Sequence, residues 1–210
     1  MRVRRRLRQA LPSSRQPELA ISSCSPFLQA IRSPDSNPAR VEIEALIRVI
    51  PDFPISGILF RDITPLLKDK QGFRQAIDLF VERFAGRGID HVVAIEARGY
   101  IFAAPIAYAI GAGFIPVRKP GKLPHDTLRE EYALEYGTNT LEIHADAIGR
   151  GERVLVVDDV LATGGTAAAT ARLLERLGAS VEAFAFLIEL TGLRGREALP
   201  GAEIVSFISY

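Results

Sequence analysis

The chain contains few of the residues on which disulfide-bonded and metal-binding proteins depend. Its 210 residues include one cysteine, Cys24, and three histidines, which stand far apart at positions 91, 125 and 144. A single cysteine cannot form an internal disulfide, and the histidines lack the spacing of zinc ligands. These absences exclude a disulfide framework and argue against a structural metal.

Net charge is also nearly absent, at +1, but its distribution is uneven. Residues 1–40 hold eight arginines against Glu18 and Asp35, and they are rich in serine and proline. This composition is typical of disorder, so we expect a disordered extension over residues 1–40 and one folded domain over residues 41–210. The small overall charge suggests no nucleic-acid partner.

The extension has two other interpretations. Its few apolar residues stand among arginines with little acidic charge, as in an organellar transit peptide. Alternatively, the gene start is placed too early and translation begins at a GTG codon for Val41. We expect a cytoplasmic protein, and an organellar one if the extension is a transit peptide.

One long stretch, residues 100–117, is free of charge. Its 18 residues reach the lower length limit of a membrane-spanning helix. Pro105, Gly111, Gly113 and Pro116 interrupt it, so we expect a buried helix that ends near Gly111 and a short strand up to Val117. The sequence therefore predicts no membrane association.

Apolar strands alternate with helices from residue 41 onward, which predicts an α/β fold whose parallel sheet is covered on both faces. A hairpin with strands 132–136 and 140–144, joined through residues 137–139, interrupts the alternation. Predicted helices cover residues 41–50, 73–84, 100–111 and 165–177, and predicted strands cover residues 91–95, 114–117, 154–157, 181–190 and 204–208.

Ligands of such sheets bind at the carboxyl ends of the strands, where three charged or glycine-bearing turns occur at residues 96–99, 118–122 and 158–166. In the third turn, residues 162–166 (Ala-Thr-Gly-Gly-Thr) open a helix, and a helix N-terminus with glycines and hydroxyls suits a phosphate. No Gly-Lys-Ser/Thr follows, which excludes a nucleoside-triphosphate P-loop. Asp158 and Asp159 would repel a phosphate, but carboxylates accept hydrogen bonds from sugar hydroxyls. A ribose 5-phosphate group satisfies both features.

Residues 154–166, VLVVDDVLATGGT, resemble the phosphoribosyl-pyrophosphate signature of type I phosphoribosyltransferases. An acidic pair that binds Mg²⁺, as in response regulators, would not need the ATGGT that follows. Residues 53–67, 96–107, 117–124 and 134–148 are similar to the adenine-specific branch of that family, so the likeness covers about residues 41–210.

The resemblance implies the type I phosphoribosyltransferase fold, with a five-stranded parallel core sheet, a small hood and a β-hairpin flexible loop. It also implies a homodimer and a reaction of purine salvage, in which adenine and 5-phosphoribosyl 1-pyrophosphate (PRPP) give AMP and pyrophosphate. Mg²⁺ is the implied cofactor, bound mainly through the substrate rather than by direct side-chain ligation.

The resemblance also assigns site residues. Asp158 and Asp159 hold the ribose hydroxyls, and Ala162, Thr163, Gly164, Gly165 and Thr166 hold the 5′-phosphate. Arg98 binds the pyrophosphate, together with Lys119 and Lys122 on a mobile loop. Leu59, Phe60 and Arg61 receive the base, with Glu135 and Tyr136 close to it. The implied catalytic residues are Glu135, Arg98, Asp158 and Asp159.

Each assignment has an ordinary structural alternative. Arg98, Lys119 and Lys122 are then solvated surface charges, Phe60 is a core residue, and Glu135 is an exposed carboxylate of the hairpin.

Two other functions compete with adenine transfer. The first is a DNA-binding regulator that senses PRPP, but residues 1–40 lack the periodic helices of a helix-turn-helix. The second is transfer to another base, hypoxanthine or xanthine, which residues 57–67 (GILFRDITPLL) argue against.

Overall fold

A computed structural model of the chain describes residues 42–133 and 138–210. The predicted extension, the predicted site residues Glu135 and Tyr136, and the first residue of the predicted helix 41–50 lie outside the described residues. The described strands are β1 (Arg48–Pro51), β2 (Leu59–Asp62), β3 (His91–Ile95), β4 (Gly113–Val117), β5 (Thr127–Ala133), β6 (Thr138–His144), β7 (Arg153–Leu161), β8 (Ser180–Glu189) and β9 (Ile204–Ser209). The α-helices are α1 (Thr64–Lys68), α2 (Lys70–Phe84), α3 (Arg98–Ile110) and α4 (Gly165–Leu177). Short 3₁₀ helices cover Ile43–Leu46, Thr191–Leu193 and Gly195–Ala198.

The central sheet has five parallel strands in the order β4-β3-β7-β8-β9. Successive residues of its strands face opposite sides, so two apolar cores form. Val92 and Ala94 of β3 pack in the core that includes α2 and α3, whereas Val93 and Ile95 pack in the core that includes α4. The predicted α/β fold with a parallel sheet covered on both faces is confirmed.

Two small antiparallel pairs stand outside this sheet. Strands β1 and β2, with the 3₁₀ helix Ile43–Leu46, form a unit that we call the hood. Strands β5 and β6 form a second pair that we call the arm, and it packs on α4. A main-chain bridge between Arg118 and Glu142 also joins the arm to the residue that follows β4.

Three predicted boundaries were wrong. The predicted helix 41–50 is a 3₁₀ helix over Ile43–Leu46 followed by β1, because the β-branched residues Val49 and Ile50 pair with β2 instead of continuing a helix. The hairpin strands are longer than predicted, and Thr138 and Asn139 pair with β5 instead of forming the turn.

The third correction concerns β7, which continues through the two aspartates to Leu161. Val160 and Leu161 pair with β8, and this pairing keeps the chain extended beyond the predicted end at Val157. The acidic pair therefore lies on a strand, and only residues 162–164 connect it to α4.

The uncharged stretch 100–117 divides as predicted into a helix and a strand. Helix α3 ends at Ile110 and is capped by Gly111, whose φ of 75° is in the left-handed region, and β4 begins at Gly113. Within the described part of the chain, every helix is too short or too polar to cross a membrane.

Candidate functional site

The acidic pair, Asp158 and Asp159, is built into the carboxyl end of β7. Asp158 is half-buried and its Oδ1 accepts the Asp159 N–H at 2.9 Å. Gly99, at the start of α3, lies so close that a Cβ there would stand 2.9 Å from Asp158 Oδ1. The glycine thus lets a helix N-terminus, which favours negative charge, approach the carboxylate.

Asp159 is 3% exposed, and its partner is the sequence-predicted Arg98. Arg98 Nε lies 2.7 Å from Asp159 Oδ2, but the two groups are not aligned for a hydrogen bond. Oδ2 has no hydrogen-bond donor among the described residues. A buried carboxylate oxygen without a donor is costly, so this atom is suited to a donor that arrives with a ligand.

Burial raises the pKa of Asp158 well above its usual range, and the neighbouring charge of Asp159 raises it further. Burial also raises the pKa of Asp159, while Arg98 acts in the opposite direction. The pair is therefore a strained arrangement of two like charges, which a positively charged or hydroxyl-rich ligand would relieve.

The phosphate loop, residues 162–166, follows β7 and begins α4. Gly164 has φ of 80°, and a Cβ there would collide with the main-chain oxygen of Gly195. Ala168 donates the first hydrogen bond of the helix, to Gly164 O at 2.9 Å. The N–H groups of residues 165–167 have no acceptor within the helix, which leaves them for an anion.

Two cavities of about 240 Å³ each meet at the acidic pair. The first, the loop cavity, is lined by Arg98, residues 158–167 and Phe186. The second, the lysine cavity, is lined by Ile95, Glu96, Ala97, Arg98, Lys119, Tyr132, Asn139, Leu141, Asp158, Asp159 and Thr166. Arg98, the acidic pair and Thr166 belong to both, so two anionic groups bound there would flank the aspartates.

The lysine turn, residues 119–122, contributes Lys119 to the second cavity. Glu96 Oε2 accepts hydrogen bonds from Arg118 Nε at 2.9 Å and from the Lys119 N–H at 3.3 Å. The bond from Arg118 is the main reason that the pKa of Glu96 is lowered. Lys122 is not among the described lining residues of either cavity, so the structure does not bring it to the site. That this turn is mobile stays a prediction.

The predicted base segment lies on β2 of the hood. The Phe60 ring centre is 5.6 Å from the Arg98 guanidinium carbon, and Phe53 meets Phe60 edge-on at 5.1 Å. Leu59 is exposed, whereas the Arg61 guanidinium stacks on the Tyr210 ring at 3.8 Å. The structure therefore places Phe60 beside the site, whereas the Arg61 side chain contacts Tyr210 instead. No described strand pairs with the second edge of β2, so its main-chain groups remain for a ligand.

Sequence reasoning missed Tyr132 and Asn139, which line the lysine cavity. Both lie where the arm faces the site, and they are opposite each other in the β5–β6 register. Every second residue of a strand lies on the same face, so Tyr132 shares its face of β5 with Leu128 and Glu130. This spacing could have predicted that Tyr132 lies on the inner face of the arm.

A larger groove of about 870 Å³ lies away from these residues. Its lining residues are Glu42, Ile43, Glu44, Gln75, Asp78, Leu79, Glu82, Phe207 and Ile208. Four carboxylates and no cation face it, and burial raises the pKa of Asp78. An anionic substrate would be repelled there, so volume is a poor guide to the site in this molecule.

Comparisons with known proteins agree with this geometry. The family model "Phosphoribosyl transferase domain" matches residues 63–199. Adenine phosphoribosyltransferase of Anaeromyxobacter dehalogenans strain 2CP-1 is 60% identical over 168 residues, which cover 80% of this chain and 98% of that protein. The enzyme of Acaryochloris marina is 59% identical over 170 residues, which cover 81% of this chain and 100% of that protein.

Solved structures show the same likeness. Adenine phosphoribosyltransferase of Thermoanaerobacter pseudethanolicus superimposes with a TM-score of 0.78 at 55% identity, covering 80% of this chain and 98% of that one. The Saccharomyces cerevisiae enzyme, solved with adenine and an imino-altritol bisphosphate, gives 0.76 at 40% identity, covering 79% and 96%. The chain therefore belongs to the adenine phosphoribosyltransferase family.

Proposed function

We propose that the chain transfers the 5-phosphoribosyl group of PRPP to adenine, giving AMP and pyrophosphate, as a step of purine salvage. The observation that carries this proposal is the pair of anion-sized cavities that meet at Asp158, Asp159 and Arg98. PRPP has a phosphate at one end, a pyrophosphate at the other and a vicinal diol between them, which matches that order of sites.

The loop cavity takes the 5′-phosphate. Free N–H groups of the phosphate loop, that of Thr166 among them, and the hydroxyl of Thr163 donate to its oxygens, while the Thr166 hydroxyl donates to Tyr132. The acidic pair accepts hydrogen bonds from the ribose hydroxyls, and the Asp159 oxygen that lacks a donor gains one. As the bond at the anomeric carbon breaks, the sugar becomes cationic, and the nearby carboxylates stabilise that charge.

The lysine cavity takes the pyrophosphate, which leaves as an anion. Arg98 and Lys119 both line this cavity and offset its growing charge. Arg98 also faces Asp159, so the same guanidinium orients the acidic pair and meets the leaving group.

Magnesium is part of the proposal, because the family implies it and the donor set fits. Asp158 and Asp159 present carboxylate oxygens, which Mg²⁺ prefers, and they would hold the ion through substrate hydroxyls and water. When bound, the ion supplies positive charge to the pyrophosphate. Removal of Mg²⁺ with a chelator should abolish turnover and its return should restore it. Undiminished turnover after chelation would refute this part.

The base lies against the hood. Phe60 stacks on adenine, and the unpaired edge of β2 reads the base through main-chain groups. Glu135, with Tyr136 next to it, shares a proton with the purine as a ring nitrogen attacks the sugar. Replacing Glu135 with Leu should lower kcat by about 10²–10⁴-fold, and Glu135→Gln should retain more activity. Equal turnover of the Leu variant and wild type would remove Glu135 from the reaction.

The deciding experiment for the function is a base panel with PRPP and Mg²⁺. Adenine, hypoxanthine, guanine and xanthine are each supplied to the full chain, and nucleoside monophosphate formation is measured. We expect product from adenine at the highest kcat/KM. Equal use of hypoxanthine or guanine would overturn the assignment of the base.

We also propose a homodimer. Ile101 and Tyr108, seven residues apart on α3, are exposed on one face of that helix, and Phe114 is exposed on the edge strand β4. Tyr108 is 72% exposed, so an apolar face of this kind is suited to a second copy of the chain. Ile101→Glu should convert a dimer to a monomer in analytical ultracentrifugation. A wild-type chain that sediments as a monomer would refute the proposal.

A further inference from the structure

The arm, β5 and β6, reaches both anion-binding segments of the site through buried polar side chains. Tyr132 on β5 contacts the phosphate loop, and Glu142 on β6 contacts the lysine turn. The two segments come from different parts of the chain, after β7 and after β4. The arm is thus a structural link between them.

Tyr132 fixes the orientation of a phosphate-loop hydroxyl. Its side chain is 8% exposed, and its hydroxyl oxygen accepts hydrogen bonds from Thr166 Oγ1 at 3.1 Å and from Asn139 Nδ2 at 3.3 Å. The hydroxyls of Tyr132 and Thr166 hold two protons and share one hydrogen bond. The pair therefore keeps one O–H for a ligand at the N-terminus of α4.

Glu142 fixes the lysine turn. It is 1% exposed, and its Oε2 accepts the Gly121 N–H at 2.9 Å. The main chains of Glu142 and Arg118 exchange two further hydrogen bonds, at 2.9 and 2.7 Å. A buried carboxylate is costly unless it is paired, and here Arg129 Nε lies 2.6 Å from Oε1 without being aligned for a hydrogen bond.

Packing does little to hold this turn, because Lys119, Pro120 and Gly121 are all exposed. Its position therefore depends on the few hydrogen bonds that reach it from Glu96, Arg118 and Glu142. Glu142 supplies the bond nearest the tip of the turn, one peptide beyond Pro120. A shift of the turn would move the Lys119 ammonium out of the lysine cavity.

We propose that Tyr132 and Glu142 are positioning residues through which the arm sets the two anion sites separately. The Tyr132 hydroxyl acts through Thr166 on the group bound in the loop cavity, while its ring lines the lysine cavity. Glu142 acts through Lys119 on the group bound in the lysine cavity. The ligand names, the 5′-phosphate and the pyrophosphate of PRPP, rest on the proposed function. The division of labour between the two residues rests on the contacts alone.

The test crosses two variants with two probes. Calorimetry measures the affinity of the full chain for ribose 5-phosphate and, separately, for pyrophosphate with Mg²⁺. Tyr132→Phe should weaken ribose 5-phosphate by about tenfold, the effect of one displaced hydroxyl donor, and weaken pyrophosphate less, because phenylalanine keeps the ring that lines the lysine cavity. Glu142→Gln should show the reverse pattern, and Glu142→Asp, which shortens the side chain and keeps its charge, should match it.

Two control variants make the same chemical changes at residues with no described hydrogen bond to either anion-binding segment. Tyr100 has another partly buried hydroxyl, which donates to Val117 O at 2.9 Å, and Glu130 is a second carboxylate of the arm, paired with Arg172. Neither touches the phosphate loop or the lysine turn through a described side-chain hydrogen bond. Tyr100→Phe and Glu130→Gln should leave both affinities within about twofold of wild type, since the lost bonds lie elsewhere.

Double-mutant cycles test whether each residue acts through its assigned neighbour. In a Lys119→Ala background, Glu142→Gln should cause no further loss of pyrophosphate affinity, and in a Thr166→Val background, Tyr132→Phe should cause no further loss of ribose 5-phosphate affinity. Additive losses would overturn the proposal, as would equal weakening of both probes by either variant. Adenine turnover is assayed in parallel. A crossed pattern without turnover would refute the proposed function and leave the role of the arm standing.

Discussion

The sugar-phosphate end of the site and the hood are built in different ways. At the sugar-phosphate end, Asp159 is 3% exposed, and Leu161, the last residue of β7, is fully buried. In the hood, Leu59 is 56% exposed, and Ile55 in the connection between β1 and β2 is 61% exposed. Among the described strands, β1 and β2 pair only with each other. In the proposed function, the sugar phosphate is thus bound by the sheet itself, whereas the base is selected by a small unit with few buried contacts.

This difference has an energetic reason. Two adjacent carboxylates with little solvent contact destabilise a fold, so they occur where a large core offsets them. The hood strands β1 and β2 carry no adjacent pair of carboxylates, and the ligand proposed there is a flat, neutral base that needs apolar surface and main-chain donors. Substitutions should therefore affect stability and PRPP use together at the sheet end, and base use alone in the hood.

The largest effect is expected at Gly164. Alanine there would adopt φ near 80° and collide with Gly195 O, so the phosphate loop must move. We expect a loss of about 2–4 kcal/mol in the free energy of unfolding. A displaced loop should also lower kcat/KM for PRPP by about 100-fold. Chemical denaturation and steady-state kinetics measure the two effects.

Gly151→Ala is the matched control, because Gly151 has φ of 82° and open space around its Cβ position. It shares the backbone strain without the collision and lies at the opposite end of the sheet. We expect a loss of about 1 kcal/mol and unchanged kinetics. If the two variants behaved alike, the collision with Gly195 would have no role.

Asp158→Asn should separate function from stability at the same end of the sheet. The amide keeps an oxygen for the Asp159 N–H but loses the charge that faces the cationic sugar. We expect kcat/KM for PRPP to fall by about 10- to 100-fold, which is the loss of about 1.5–3 kcal/mol of charge-assisted binding. Adenine affinity should change little. Unchanged kinetics in both Asp158→Asn and Asp159→Asn would remove the pair from the reaction.

The same substitution should stabilise the ligand-free protein. The pKa of Asp158 is raised in the folded state, so the folded protein holds the proton more tightly than the unfolded chain does. Stability therefore falls as pH rises from the ordinary value of 3.8 through the raised pKa, and the whole penalty is present above the raised pKa. Asn removes it. We expect a gain that grows with pH above 3.8 and reaches about 1 kcal/mol, or about 2–4 °C in Tm, above the raised pKa. The gain should vanish below pH 3.8, and a constant gain at all pH values would contradict this origin.

A smaller and more selective effect is expected in the hood. Phe60→Leu keeps an apolar side chain but removes the ring that lies near Arg98. The KM for adenine should rise by about 3- to 10-fold, the value of one aromatic contact, while the KM for PRPP stays unchanged. Phe53→Leu, which alters the edge-on partner of Phe60, should have a weaker effect in the same direction. If Phe60→Leu raised the KM for PRPP more than the KM for adenine, the assignment of the hood to the base would be wrong.

The two regions also differed in how far sequence could predict them. Strand and helix periods placed Asp158, Asp159, Arg98 and Lys119 at one sheet edge, because parallel strands align their carboxyl ends. Lys122 lines neither cavity and stays a prediction, since a turn of four residues directs two lysines differently and no periodicity reports that direction. Tyr132 was missed because its role depends on the arm packing on α4, a contact between segments far apart in sequence. The helix predicted over residues 41–50 was wrong because strand pairing of β1 with β2 overrode the local helix propensity.

The smallest effect is expected for deletion of residues 2–40. These residues precede the hood, and the aligned relatives span 168 to 170 residues of this chain. The described fold from residue 42 onward contains both apolar cores, both cavities and the hood. Because eight arginines with few apolar residues can bury little surface, we expect the truncated chain to retain kcat and both KM values. Its Tm should stay within about 2 °C of the full chain, a difference of less than about 1 kcal/mol in a domain of this size. Calorimetry and the adenine assay on both chains decide the matter. A large drop in Tm or activity would mean that the extension packs on the domain, and the boundary near residue 41 would then be wrong.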